Sequence, residues 1–386
     1  MMIASKVVAL GLGVAACSVA LGQGMSTAQQ DKTVRINQIQ VIGTHNSYHM
    51  GFAPSERKLL EKSAPNFLSG LDYGHATLSD QLTAGVRQLE IDVFRDSQGG
   101  RFAHPKIVRD VAEAGLPADP DFDPQHQMDK PGLKVMHVQD LDERSRCHTF
   151  VLCLTEVRAW SKAHPQHLPI FLLVETKGGK TKPGSGLVEV EPFAAAEDFD
   201  ELDGEIRSVF SADEMIVPDQ VRGKAATLPE AIAKGGWPTL AKARGKVVFL
   251  MDQRATEGIY TQGHPALKGR VLFTNAVAGA PDAAFIEENG GTPEEIDPLI
   301  KQGYLIRTRS DEPTQQARKN DTARRDVTLR TGAQMISTDY PVSEPASWTG
   351  YSVGLPGGLV ARCNPVNKPA GCVDGLLEPV TVQAAR

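Results

Sequence analysis

The apolar positions of this chain fall into short runs separated by amphipathic stretches. The runs Ile39–Thr44, Gln88–Phe94, Lys134–Val138, Pro169–Glu175, Lys246–Asp252, Arg270–Thr274, Tyr304–Thr308 and Ala333–Thr338 read as strands. Between them, Leu78–Val86, Phe150–His164, Ala195–Ser211 and Leu228–Arg244 have the spacing of helices with one buried face. Strands apolar on both faces, alternating with helices, predict a parallel sheet covered on both sides. Eight of them in one chain predict an α/β fold closed as a (β/α)8 TIM barrel. Two stretches depart from the plan. Gln98–Pro131, rich in Pro, Asp and Gly, reads as a long loop insertion after the second strand, and the chain beyond Pro341 as a Gly/Pro-rich tail.

Composition narrows the class. The 386 residues carry 41 Lys+Arg against 47 Asp+Glu, and 41% of them are hydrophobic. That is a soluble globular composition, and the absence of a basic run argues against nucleic-acid binding. Lys6, the apolar run Val7–Ala16 and the small residues Ser18 to Gly22 form the three parts of a secretory signal. The expected organisation is a signal over 1–22, a linker over 23–37, the barrel over 38–345 and a tail over 346–386. Cleavage after Ala20-Leu21-Gly22 would release a soluble chain near Gln23, whereas Val14-Ala15-Ala16-Cys17 reads as a lipoprotein box. Export to an oxidising compartment predicts two local disulfides, Cys147–Cys153 and Cys363–Cys372. Neither pair is a CxxC, so zinc is disfavoured.

In such barrels, chemistry sits at the C-terminal ends of the strands. The first run ends in Gly43-Thr44-His45-Asn46-Ser47-Tyr48; the second holds Glu90 and Asp92, which at i,i+2 share a face. The third ends at His137 and the fourth at Glu175, with Lys177 following. Buried carboxylates are costly unless paired or bound to metal. Three of them with Asn46 make a hard, all-oxygen donor set that suits Ca2+. His45 and His137 remain for proton transfer.

These residues bring a family into view. The chain resembles the calcium-dependent phosphatidylinositol-specific phospholipases C, on motifs spread in order from about Gln38 to Pro341. Thr44-His45-Asn46-Ser47-Tyr48 resembles that family's His-Asn motif, Gly85 to Asp92 its Glu-x-Asp strand, Val135-Met136-His137 its second-histidine strand, and Pro169 to Glu175 another glutamate-bearing strand. Arg309-Ser310-Asp311 and Gly332-Ala333-Gln334-Met335 resemble later elements. The resemblance implies that Asn46, Glu90, Asp92 and Glu175 hold Ca2+, that His45 contacts the phosphoryl oxygens, and that His137 protonates the leaving oxygen. The inositol 2-hydroxyl would attack phosphorus, releasing diacylglycerol and a cyclic phosphate. A metal-bound carboxylate or His45 would be the base. The partner implied is a phospholipid at a membrane or micelle surface, met peripherally by a monomer.

Some residues depart from the pattern. The gap from Asp92 to His137 is long and contains His104, a reserve candidate. The fifth run ends in Asp252 and not in a basic residue, which suits inositol hydroxyls better than added phosphates; Lys177 and Arg309 are further substrate contacts. A glycerophosphodiester phosphodiesterase is the nearest alternative, although that group begins with a His-Arg pair and here Asn46 follows His45. A non-catalytic calcium-dependent lipid binder and a glycosidase using Glu90 and Glu175 are the others. The last leaves both histidines unexplained.

Overall fold

The computed structural model describes residues 24–378. Strands β1 (Ile39–Thr44), β2 (Gln88–Val93), β3 (Ile170–Thr176), β4 (Val247–Met251), β5 (Phe285–Glu287), β6 (Leu305–Arg309) and β7 (Met335–Thr338) run parallel in the order β4-β3-β2-β1-β7-β6-β5. Residues 270–276 stand where the remaining barrel strand belongs. They form only single bridges, Leu250 to Phe273 and Asn275 to Phe285, and these two bridges nearly close the barrel between β4 and β5. The fold is thus the expected α/β barrel.

Several expected elements differ. Lys134–Val138 is not a barrel strand: Lys134 makes an antiparallel bridge to Phe94, and the segment crosses the barrel mouth as a loop. Its apolar residues still bury, Met136 against Phe94, Phe102 and Met128, which explains why the run mimics a strand. The run at Arg270–Thr274 is likewise bridges only, while Phe285–Glu287 is a strand that the apolar pattern did not mark. The expected helix Leu228–Arg244 breaks into Leu228–Ala233 and Leu240–Ala243, because Gly235 has φ +77° and Pro238 lacks the amide that continues a helix.

Both ends of the described chain join the core. Within 24–37, read as linker, Thr27–Thr33 is helical, and Val34 and Ile36 are fully buried. In the tail, β8 (Ala361–Cys363) pairs antiparallel with the first half of β1. Further along β1, its ladder with β2 is the single pair Gly43 and Gln88. A side chain on Gly43 would collide with that of Gln88, so glycine permits this close approach. Both expected disulfides form, Cys147–Cys153 and Cys363–Cys372. The insertion 98–131 contains one helix, Lys106–Glu113, and packs through Phe102 and Met128 on Phe94 and Met136.

Candidate active site

Strand register assembles the site at the C-terminal mouth of the barrel. In the β2–β3 ladder Asp92 stands opposite Glu175, and Glu90 points the same way two residues earlier. Carboxylate oxygens of Glu90, Asp92 and Glu175 all lie within 4.8 Å of one another. β1 ends alongside β7, with Thr44 opposite Thr338, so the next residues, His45 and Asp339, are neighbours. Ser47 turns the chain back over β2: its amide donates to Glu90 O at 2.9 Å, and its Oγ accepts from Glu90 N at 2.8 Å. Asn46, in this turn, has φ +46°, a conformation that Asn tolerates.

The donor set fits a hard cation. Asn46 is fully buried, its Nδ2 donates to Tyr73 Oη at 2.9 Å, and its Oδ1 has no hydrogen-bond partner. Burial, with Asp92 and Glu287 next in effect among the acidic groups, pushes Glu90 up to about 8 despite Arg307, and Glu175 is also raised by burial and Asp92. Crowded carboxylates that resist ionisation, plus an unpartnered amide oxygen, are what a bound Ca2+ would relieve.

Cations already flank the cluster. Arg307, in β6 opposite Glu287, pairs with Glu287 and Glu90 and is essentially buried. Lys177 Nζ lies 2.8 Å from Asp92 Oδ2 and 2.7 Å from Glu175 Oε1. This contact pairs the charges, although Asp92 accepts no well-aligned hydrogen bond. Asp252 follows β4, extends the ladder by donating its amide to Val174 O, and faces the same cluster. Burial and then Glu287 push its carboxyl up to about 10.

The two histidines occupy contrasting settings. His45 Nδ1 is 2.7 Å from Asp339 Oδ1 and 3.2 Å from Tyr73 Oη, while Nε2 is 3.6 Å from Glu90 Oε1 and 3.3 Å from Arg309. Burial, then Arg309 and Arg307, hold its pKa well below the usual imidazole value. His137 Nδ1 is 3.2 Å from Asp142 Oδ2, and Asp142 also meets His49 Nε2 at 3.0 Å. Burial opposes charge on His137, but the hydrogen bond and charge of Asp142 outweigh it and raise its pKa.

All the residues expected on the rim therefore meet there, His137 on a loop and the rest on or next to strands. His104 does not: it is exposed and lines a groove of about 370 Å³ beside the insertion, with Glu56 and Arg144. Sequence reasoning missed Asp339, Asp142, Tyr73, Arg307 and Glu287. Asp339 directly follows a strand, so the rule that singled out His45 would have found it. Tyr73 and Asp142 lie on loops that carry no such signal.

Comparison with known proteins agrees with this geometry. Residues 34–365 match the family model described as phosphoinositide phospholipase C, Ca2+-dependent. No curated protein sequence matches the chain. Among solved structures, a calcium-dependent phosphoinositol-specific phospholipase C from a Gram-negative Pseudomonas species is similar in its apo form, with TM-score 0.51 and 16% identity over 86% of this chain and 96% of that one. Its myoinositol complex gives TM-score 0.50 at the same identity and coverage. A Ca2+-dependent phosphatidylinositol-specific phospholipase C from Streptomyces antibioticus is 19% identical over 79% of this chain and 94% of that one, with TM-score 0.48. The Pseudomonas likeness shows a shared fold, and the family match goes further: the chain belongs to the calcium-dependent phosphoinositide phospholipases C, which are phosphoric diester hydrolases.

Proposed function

We propose that His45 is the general base and His137 the general acid in cleavage of phosphatidylinositol. The observation that carries this is the opposite displacement of the two imidazoles, one pushed down and the other up. Such a divergence is how a site keeps one group as base and another as acid at a single pH. Asp339 accepts from His45 Nδ1–H, which leaves Nε2 as the basic atom. That atom takes the proton of the inositol 2-hydroxyl as it attacks phosphorus. His137 then protonates the departing diacylglycerol oxygen, leaving a cyclic inositol phosphate. Arg309, 3.3 Å from His45 Nε2, would take a phosphoryl oxygen.

Asn46, Glu90, Asp92 and Glu175 would hold Ca2+, which when bound supplies Lewis-acid charge neutralisation at the phosphoryl group and the attacking hydroxyl. Asp252, with Glu287 beside it, favours ring hydroxyls over added phosphates, so the preferred substrate is unphosphorylated phosphatidylinositol. Half-exposed Met50 and Trp348 lie on loops beside Tyr73 and Tyr340 and suit peripheral contact with a lipid surface. No helix among the described residues is long and apolar enough to cross a membrane. The two disulfides suit an oxidising compartment. The export signal and Cys17 fall outside the described residues.

The test is purified protein with phosphatidylinositol, phosphatidylcholine or glycerophosphoinositol, each with Ca2+ or EGTA, followed by phosphorus NMR. A cyclic phosphate resonance from phosphatidylinositol with Ca2+ alone is expected, and it should be lost in H45A and H137A. Undiminished turnover in EGTA, or in either variant, overturns the assignment.

A further inference from the structure

We infer that Lys177 is an exchangeable cation of the metal site, occupying the carboxylate oxygens that Ca2+ takes and released toward the lipid phosphate when the ion binds. This rests on the reading of Asp92 and Glu175 as metal ligands.

Strand register sets the geometry. Asp92 and Glu175 are direct partners in the β2–β3 ladder, so their carboxylates project side by side into the mouth. Lys177 lies two residues beyond Glu175 on the same face, and its amide continues the ladder by donating to Val93 O at 2.8 Å. Its backbone is therefore held, and its ammonium rests between the two carboxylates, 2.8 Å from Asp92 Oδ2 and 2.7 Å from Glu175 Oε1. One cation bridges both ligands.

That position cannot be shared. Calcium binds carboxylate oxygens at about 2.4 Å, so an ion on these same oxygens would lie against the ammonium, with like charges nearly in contact. One of the two must leave. Lys177 is able to: it is 18% exposed and ends a flexible four-carbon stem. Arg307, the other cation of the cluster, is not. It is 1% exposed and clamped by Glu90, Glu287 and Asn289, the last at 2.8 Å. The cluster therefore has one fixed cation and one movable cation.

The exchange has two consequences. Lys177 lowers the apparent affinity for Ca2+, because the ion must displace it. Once displaced, its charge is free at the mouth, where a phosphodiester anion would sit. Metal thus precedes lipid.

The experiment is calorimetric titration of Ca2+ into wild type, K177M and D92N at one ionic strength. It is paired with reductive methylation of wild type in Ca2+ or EGTA, read at Lys177 by mass spectrometry. K177M should bind Ca2+ at least about 10-fold more tightly, given the like charge removed, and D92N more weakly. Methylation of Lys177 should quicken in Ca2+. If D92N binds as wild type does, the metal-site reading fails and the exchange with it. If D92N weakens binding but K177M does not tighten it, the exchange alone is overturned. Lys177 labelling that is unchanged or slowed by Ca2+ also overturns the exchange, even with a tighter K177M, since loss of a positive field would suffice for that. Should K177M not fold, the labelling decides.

Discussion

Asp339 Oδ1 stands 2.7 Å from His45 Nδ1, and the contact follows from the β1–β7 register, which sets Thr44 against Thr338 one residue earlier. The carboxylate fixes the ring and its tautomer, so the Nε2 lone pair faces the mouth. Asp311 steadies Asp339 in turn, accepting its amide at 2.9 Å.

D339N should lower kcat on phosphatidylinositol about 10²-fold or more, in the range of general acid–base effects. Calcium affinity should stay unchanged, because Asp339 is not among the oxygen donors. Steady-state kinetics with a parallel Ca2+ titration check both halves. A large loss of metal affinity would make Asp339 part of the cation site instead.

The alkaline limb of kcat/KM should lie above the ordinary imidazole value of 6.5, since Asp142 raises His137. The sign is that of a group favoured in its charged form: activity and the ion pair's stabilisation are present at lower pH and are lost as pH rises through the folded value. D142N should move the limb to lower pH. A limb that stays in place would assign the acid to another group.

R307M should destabilise the fold by about 3–5 kcal/mol, because it leaves Glu90 and Glu287 buried without their partner. Urea denaturation measures this. Adding E287Q should recover part of the loss, and a double variant no more stable than R307M would mean that charge is not the cause.

Removing Cys363–Cys372 should cost about 2–3 kcal/mol, the chain-entropy value for so short a loop. The bond anchors β8 at the opposite end of β1 from His45, so kcat should hold while Tm falls. Loss of kcat at an unchanged Tm would contradict a structural role.

Phosphatidylinositol should be cleaved with higher kcat/KM than its bisphosphate at matched surface fraction in mixed micelles. Asp252 and Glu287 offer an added phosphate no cation, and Arg307 beside them is already paired with Glu287 and Glu90. D252K, which puts a cation at this position, should narrow the preference, and a wild type that prefers the bisphosphate would overturn the assignment.

By itself the sequence determined the barrel, both disulfides, the family and the polar residues at the ends of the first three strands. Buried parallel strands are written as apolar runs, and polar residues at their C-terminal ends stand out against them. It misassigned Lys134–Val138 because a loop that buries Met136 has the same apolar signature as a strand. It did not show the short β5 and β8, which owe their place to partners far along the chain. Only the tertiary structure decided which charges meet. Arg307 meets Glu90 across the barrel interior, His45 meets Asp339 through register, and His137 meets Asp142 through a loop. Pairings of this kind depend on which strands are neighbours and in what register, and those are properties of the closed sheet that no local stretch of residues contains.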